Sequence, residues 1–230
     1  MIRRPFRITA ATAAAVAAIL AATPTPATTM SAPANLEQLV HGAAVIVSGT
    51  VTSVRTARTG QMNHVEITLD VARDLRGSVG RTFTFRQIGL AAPESMGNGR
   101  TYVGGVPGLP QYREGEQVLL FLGPESHAGF RTTVGLGQGK FDYAAGNLQN
   151  ETANRGLFRA LSLAKASSLS TSQSAMLDTT KGFVAADAFV SLVDRAVREN
   201  WWGAPANPPG HGGTMDDGVS LDRPVKKAVR

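Results

Sequence analysis

The 230-residue chain contains no cysteine, and it carries a formal net charge of +6 with 17% charged residues. The lack of cysteine excludes disulfides, thiolate nucleophiles and thiolate metal ligands, so the folded body must be held by its own apolar core. Three of the six net charges fall in residues 1–34 and one in residues 201–230, and the cations between them are scattered. A nucleic-acid partner is therefore not expected, because such surfaces need clustered cations.

The first 34 residues have the pattern of a secretory signal peptide and leader. Arg3, Arg4 and Arg7 precede the stretch Ile8–Ala22, and small residues and prolines follow it. The alternative is a membrane anchor, which needs about 20 apolar residues, whereas this stretch supplies 15. We therefore predict cleavage, and a mature protein that is secreted or periplasmic and has no stable membrane span.

The next predicted elements are a short helix and three strands. Asn35–Gly42 begins with a possible N-cap residue and ends at glycine, which is typical of a short helix. A Val- and Thr-rich stretch with an internal glycine then predicts a long strand that bends at Gly49. Residues 64–77 and Arg81–Ile88 alternate apolar with polar side chains, so both indicate strands with one buried face.

A connection rich in glycine and proline follows, Leu90–Gln111, and Tyr102-Val103 is a candidate short strand within it. Such long connections are either binding loops or segments without a role, and the pattern leaves both readings open. Because function concentrates on loops held by a rigid scaffold, this connection is the best candidate site. The candidate binding residues are Arg100, Tyr102, Gln111 and Tyr112.

The run Gln117–Leu122, QVLLFL, predicts a central strand that is buried on both faces, because a Glu-Gly-Glu turn and Pro124 limit it to six residues. Phe130–Val134 and Lys140–Ala144 predict two more strands, with a glycine turn at Gly135–Gly139 between them. About six short strands with frequent turns indicate a mainly β fold, a small antiparallel OB-like β-barrel.

The pattern changes towards the C-terminus. Residues 145–182 are ambiguous, with Arg155–Ala166 as a candidate helix and Ser167–Ser174 resembling a loop. Apolar residues at helical spacing then predict an amphipathic helix, capped by Asp187, to about Asn200. For Trp201-Trp202, packing at the helix end is favoured over an exposed contact. The predicted organisation is a leader at 1–34, a barrel at 35–145, a helical extension packing on it at 146–200, and a flexible tail at 201–230.

No motif points to catalysis, a cofactor or a metal. A phosphate loop at Gly135–Lys140 would have to lead into a helix, and a strand pattern follows it instead. No G-x-S-x-G nucleophile elbow occurs, the pair Asp216-Asp217 lies in the predicted tail, and Asn150-Glu151-Thr152 fits a glycosylation acceptor. The histidines lack metal-ligand spacing; they are His41, His64, His127 and His211.

Several stretches resemble a group of uncharacterised bacterial exported proteins. They are LEQLVHGAAVIVSGTVTSV, DLRGSVG, TFTFR, VPGLPQYREGEQVLLFL and VGLGQGKFDY, with Gly49, Pro107, Gly108, Gly115, Gly139 and Phe141 as the main positions. The group is similar in outline to the netrin-like, tissue-inhibitor-of-metalloprotease type of OB-fold. Inhibitors of that type chelate the protease zinc through an N-terminal cysteine, and no residue here matches it. The resemblance thus implies a scaffold that binds through its loops.

The expectation for function is an exported, non-catalytic binding protein, with a protein partner favoured. One alternative is regulation or inhibition of an exported metalloprotease without the cysteine mechanism, by fold analogy alone. Another is an enzyme of unknown class whose residues converge from distant segments, with His64, Asp70 or Tyr112 as candidates.

Overall fold

Seven strands form one antiparallel sheet in the order β3-β2-β1-β6-β7-β8-β9, and β4 and β5 pair separately. The computed structural model describes residues 33–60, 62–91, 94–95, 98, 101–102, 106–164 and 169–203, with only the backbone at 94–95 and 102. The strands are β1 Val45–Thr59, β2 Met62–Arg76, β3 Thr82–Ile88, β4 Glu94–Ser95, β5 Thr101–Tyr102, β6 Gln117–Leu122, β7 Lys140–Ala144, β8 Asn147–Asn150 and β9 Val184–Ala185.

Three helices occur among the described residues: α1 Leu36–Gly42, α2 Thr171–Leu177 and α3 Ala186–Arg198. The predicted helix α1 is confirmed, with Asn35 as its N-cap and a capping box to Gln38. The predicted amphipathic helix α3 is confirmed as well, although it ends at Arg198 and its cap differs. Asp187 lies in the first turn, while Ala185 occupies the N-cap position without a side-chain hydrogen bond.

Strand β6 is the fourth of the seven strands and is buried on both faces, as its uninterrupted apolar run predicts. Val118, Leu120 and Leu122 belong to one apolar cluster, and Leu119 and Phe121 belong to another. Alternation of side chains across the strand explains this division, because neighbouring residues point to opposite faces of a sheet.

The first cluster, here called the β cluster, lies among strands β1, β2, β3 and β6 and contains Tyr112. The second, here called the helix cluster, joins the other face of the sheet to the three helices. Phe141 of β7 and Phe189 of α3 pack in it with tilted rings, whose centroids are 5.2 Å apart. Strands β8 and β9 both lie after residue 146. This part of the chain thus supplies two strands of the sheet in addition to two of the helices.

The β1–β2 pairing is irregular at the glycine where the sequence predicts a bend in β1. The β1–β2 register shifts between Ser48 and Gly49. An added Cβ at Gly49 would lie 2.2 Å from the carbonyl oxygen of Asp70, so only glycine permits this close approach of the two backbones.

Three local predictions are wrong. Phe130–Val134 is not a strand; only Thr133 forms an isolated bridge, to Leu122. The candidate helix Arg155–Ala166 is a series of turns over its described part, with positive φ at Gly156 and Ala160. The predicted loop at Ser167–Ser174 contains the start of α2, which Ser170 caps with a box to Gln173.

The mainly β fold with one antiparallel sheet is thus confirmed, whereas the sheet is not closed into a barrel. No helix within the described part of the chain is long and apolar enough to cross a bilayer. The predicted leader at 1–34 lies outside the described residues except for Pro33 and Ala34, and so does the predicted tail from residue 204 onward.

Candidate functional site

The four candidate binding residues have different positions in the structure. Arg100 lies outside the described residues, and Tyr102 is described only by its backbone, in β5. Gln111 is exposed, whereas Tyr112 is buried in the β cluster. The structure therefore assigns Tyr112 a place in the core beneath the connection, and not on its surface.

The connection between β3 and β6, residues 89–116, is anchored at both ends. At its start, the backbone N–H of Ala91 donates to Thr56 Oγ1 at 3.0 Å. Near its end, Gln87 Nε2 donates to the carbonyl of Pro110 at 2.9 Å, and Gly137 N donates to the carbonyl of Gly108 at 2.8 Å. Between the anchors, β4 and β5 form their own two-stranded sheet.

A buried lysine links this connection to strand β7. Lys140 Nζ lies 2.5 Å from Asp142 Oδ1 and 3.2 Å from Glu116 Oε2, and it sits 5.6 Å from the ring centroid of Tyr112. Two carboxylates and an aromatic face offset the cost of burying the ammonium group. Sequence reasoning missed Lys140, because nothing in KFDYA distinguishes a buried lysine from an exposed one.

Tyr112 is the electrostatically unusual member of this group. Burial raises the pKa of its phenol above the ordinary range, and the negative charges of Asp142 and Glu116 raise it further. Its hydroxyl has no hydrogen-bond partner among the described residues. The hydroxyl therefore stays neutral. Together, Tyr112, Lys140 and the two carboxylates support the connection structurally.

Two exposed apolar side chains flank the anchored end of the connection. Val106 begins a turn closed by the bond from Leu109 N to Val106 O at 3.1 Å, and its side chain is 44% exposed. Leu136 is 41% exposed and lies over Gly108, because its Cδ1 is 2.9 Å from the ideal Cβ position of that glycine. Leu136 also has a φ of 59°, which is unusual for a residue with a side chain.

The residues named for an enzymatic alternative do not converge. His64 and Asp70 lie six positions apart on β2, the first buried and the second exposed. Tyr112 belongs to the β cluster, whereas His64 packs on Phe130 with ring centroids 5.5 Å apart. The described residues contain no group of three His, Asp or Glu side chains that could hold a metal ion.

The glycine turn forms hydrogen bonds within the protein. Leu136–Gly139 is one turn of 3₁₀-helix that leads into β7, and Gly135 before it has a φ of 66°. The amide of Gly137 already donates to Gly108. The prediction that this segment is a turn is confirmed.

Two other motifs are structural in this fold. Asn150, the glycosylation candidate, is buried, and its Nδ2 donates to the carbonyl of Gln138 at 3.0 Å, so the amide is not accessible for modification. Trp201 is buried in the helix cluster, and Trp202 packs against that cluster and donates from Nε1 to Ser162 O at 2.7 Å. The predicted packing role of the tryptophan pair is confirmed.

Comparison of the chain with protein-family models, curated proteins and solved structures found no match in any of the three.

Proposed function

We propose that this chain is an exported, non-catalytic binding protein that recognises a protein partner through the β3–β6 connection and the adjoining turn at Leu136. The export rests on the signal-peptide pattern of residues 1–34. The observation that carries the binding role is the anchoring of the connection at Ala91, Gly108 and Pro110, with exposed Val106 and Leu136 beside its second anchor.

Anchoring matters because ordering a loop on binding costs conformational entropy, and a loop already fixed at its base loses less of it. Apolar side chains at the centre of an interface contribute most of the affinity when they are desolvated together. Leu136 lies against Gly108, and Val106 begins the turn that contains Gly108, so the two exposed side chains supply such apolar contacts near the same anchor.

We also infer that the sheet approaches an OB-like barrel. Residues 130–134 connect β6 to the far edge strand, because Gly123 N donates to Thr132 O at 2.9 Å and Arg131 N donates to Arg86 O at 2.8 Å. Slow amide exchange at Arg131, comparable with that of β6, is expected for a closed barrel. Exchange at the rate of an open loop would contradict closure.

The binding role is tested by recovering partners from culture supernatant or periplasm with tagged protein. We expect the double variant Val106→Ser, Leu136→Ser to recover at least about tenfold less of a specific partner, because two buried contacts are lost. A variant with residues 92–105 replaced by a short Gly-Ser linker tests the middle of the connection separately.

The matched control is Phe183→Ser. Phe183 is 57% exposed and precedes β9, at the opposite edge of the sheet from β3. Its variant should recover the partner as the wild-type protein does. Equal recovery by wild type, the double variant and the linker variant would remove the proposed role of this surface.

A further inference from the structure

The two edges of the seven-stranded sheet differ in how they are protected. At one edge, β9 has only two residues and passes directly into α3. At the other edge, β3 has seven residues, contains no proline, and pairs with β2 without a register shift. Long and regular edge strands are templates for pairing with another chain, unless something covers them.

The direction of the backbone groups of β3 follows from three hydrogen bonds. Val71 N donates to Arg81 O, and Gly89 N donates to Asn63 O, both in the register of the β2–β3 ladder. Hydrogen-bonded pairs alternate in an antiparallel ladder, so the odd-numbered residues of β3 bond to β2 and the even-numbered ones face the open edge. The bond from Arg131 N to Arg86 O, on that open side, agrees with this assignment.

The open edge is therefore covered only in part. Arg131 occupies the carbonyl of Arg86. The N–H and C=O groups of Thr82 and Thr84 face outward, and no described residue bonds to them. Both threonine side chains are exposed, so a short extended strand can reach these groups.

We propose that a second copy of this chain pairs with β3 across a twofold axis at Phe83. In this antiparallel register, Thr82 of each copy faces Thr84 of the other, and the outward groups of both threonines are satisfied in both copies. A register centred on Thr84 would need the carbonyl of Arg86, which Arg131 already occupies.

The side chains complement this register. On one face, the half-buried Phe83 meets its own copy at the axis. On the other face, Asp70 of β2 lies opposite Thr82. The register places Arg86 of the second copy on this same face, across the intervening β3 and two residues along from Thr84, where a long side chain can reach towards Asp70. Asp70 is exposed and has no ion pair with any described residue, while the Arg86 side chain is 47% exposed beside Glu66. The proposed register thus brings opposite charges to the same face twice, once on each side of the axis.

The backbone pairing is tested by sedimentation of the purified protein between about 10 µM and about 1 mM, where small interfaces associate. Wild type should show a monomer–dimer equilibrium. Thr84→Pro removes the outward N–H, at an edge position that tolerates proline, and should weaken the dimer at least about tenfold. Thr84→Val loses the same hydroxyl bond to Thr68 but keeps the N–H, and should dimerise like wild type.

The charge pairing is tested with Asp70→Arg and Arg86→Asp, each checked for an unchanged folded circular-dichroism spectrum. Each variant alone should dimerise less than wild type, because like charges then meet. An equimolar mixture should recover the dimer, because each contact again joins opposite charges. A wild-type monomer at about 1 mM, a Thr84→Pro dimer as strong as wild type, or no recovery on mixing would overturn the proposal.

Discussion

The hydroxyl of Tyr112 is buried and unpartnered, and it lies close to two carboxylates. Its raised pKa means that the folded protein binds the phenol proton more tightly than the unfolded chain does. Below about pH 10, the unfolded-state pKa of tyrosine, both states are protonated and this contribution is fully present. Above that pH the unfolded state releases the proton, so the free energy of unfolding falls as the pH rises.

We predict that Tyr112→Phe abolishes this alkaline loss. At neutral pH the variant should be as stable as wild type or more stable by about 1 kcal/mol, because an unsatisfied buried hydroxyl is removed. Between about pH 10 and pH 11.5 the difference should grow in favour of the variant by about 1.4 kcal/mol per pH unit. Urea unfolding at several pH values measures this difference, in which the titration of other groups largely cancels.

Tyr143→Phe is the matched control at neutral pH, since the Tyr143 hydroxyl lies 3.2 Å from Ser48 Oγ in a hydrogen bond. Losing that bond should cost about 0.5–1.5 kcal/mol. A Tyr112→Phe variant that loses as much stability as the control would show that the Tyr112 hydroxyl has a partner after all.

At the scale of the element, helix α1 is held at both ends by polar contacts. Asn35 caps its N-terminus, and Arg76 from the end of β2 donates to its C-terminal carbonyls, to Val40 O at 2.5 Å and Ala43 O at 2.9 Å. Partial burial lowers the pKa of this guanidinium group from its ordinary value. Arg76 therefore ties the helix to the sheet through carbonyl groups that the helix itself cannot satisfy.

We predict that Arg76→Met destabilises the fold by about 1–3 kcal/mol, because it leaves carbonyl groups at the end of the helix without their donor. Arg76→Lys should rescue little of this loss, since a single ammonium group does not reproduce the planar fork of arginine. The measurement is the free energy of unfolding in urea.

Arg73→Met serves as the control, since Arg73 is exposed on the same strand and its side chain makes no hydrogen bond or ion pair with described residues. It should change stability by less than about 0.5 kcal/mol. Equal losses in both variants would assign the effect to removing a charge from β2 and not to the cap.

The elements that the sequence predicts well are those with strong local signals at both ends. Helix α1 has its capping box, and β6 has a turn before it and Pro124 after it. The wrong predictions have physical causes. The turns after Asn150 need left-handed backbone at Asn154, Gly156 and Ala160, which apolar periodicity does not reveal.

Helix α2 shows a different difficulty. Its Ser170–Gln173 capping box is visible in the sequence, but the Ser- and Thr-rich composition outweighs it, and burial of Gln173 and Met176 stabilises the helix only in the tertiary fold. Residues 130–134 likewise have the aromatic and β-branched composition that is typical of a strand. They divide their hydrogen bonds between β6 and β3 and so form no ladder with either.

For the candidate site, the sequence indicates a long connection but not which of its side chains are exposed. Glycine and proline content marks Leu90–Gln111 as a long connection. Sequence alone does not reveal that Tyr112 turns inward onto Lys140, or that Leu136 from a distant turn lies against Gly108, because both contacts join residues that are far apart along the chain.

At the scale of the whole molecule, the boundary predicted near residue 145 runs through the sheet. β7 pairs with β8 directly across it, and β8 in turn pairs with β9. The helix cluster draws Phe121 and Phe141 from one side of that boundary, and Leu148 and Phe189 from the other. The packing therefore favours one cooperative unit over a barrel with a separable extension.

We predict that a fragment of residues 33–145 does not fold, whereas residues 33–203 unfold in a single cooperative transition. Exposing a buried Phe or Leu costs about 1.5–3 kcal/mol, and the cut exposes several, among them Phe121, Phe141 and Leu119. These three side chains alone cost about 4.5–9 kcal/mol, which is comparable with the whole 5–15 kcal/mol that typically holds a domain together. Far-UV circular dichroism and amide proton dispersion measure the outcome. A fragment with dispersed amide resonances and a cooperative urea transition would show that the β cluster stands alone, and the boundary near residue 145 would then be a domain boundary.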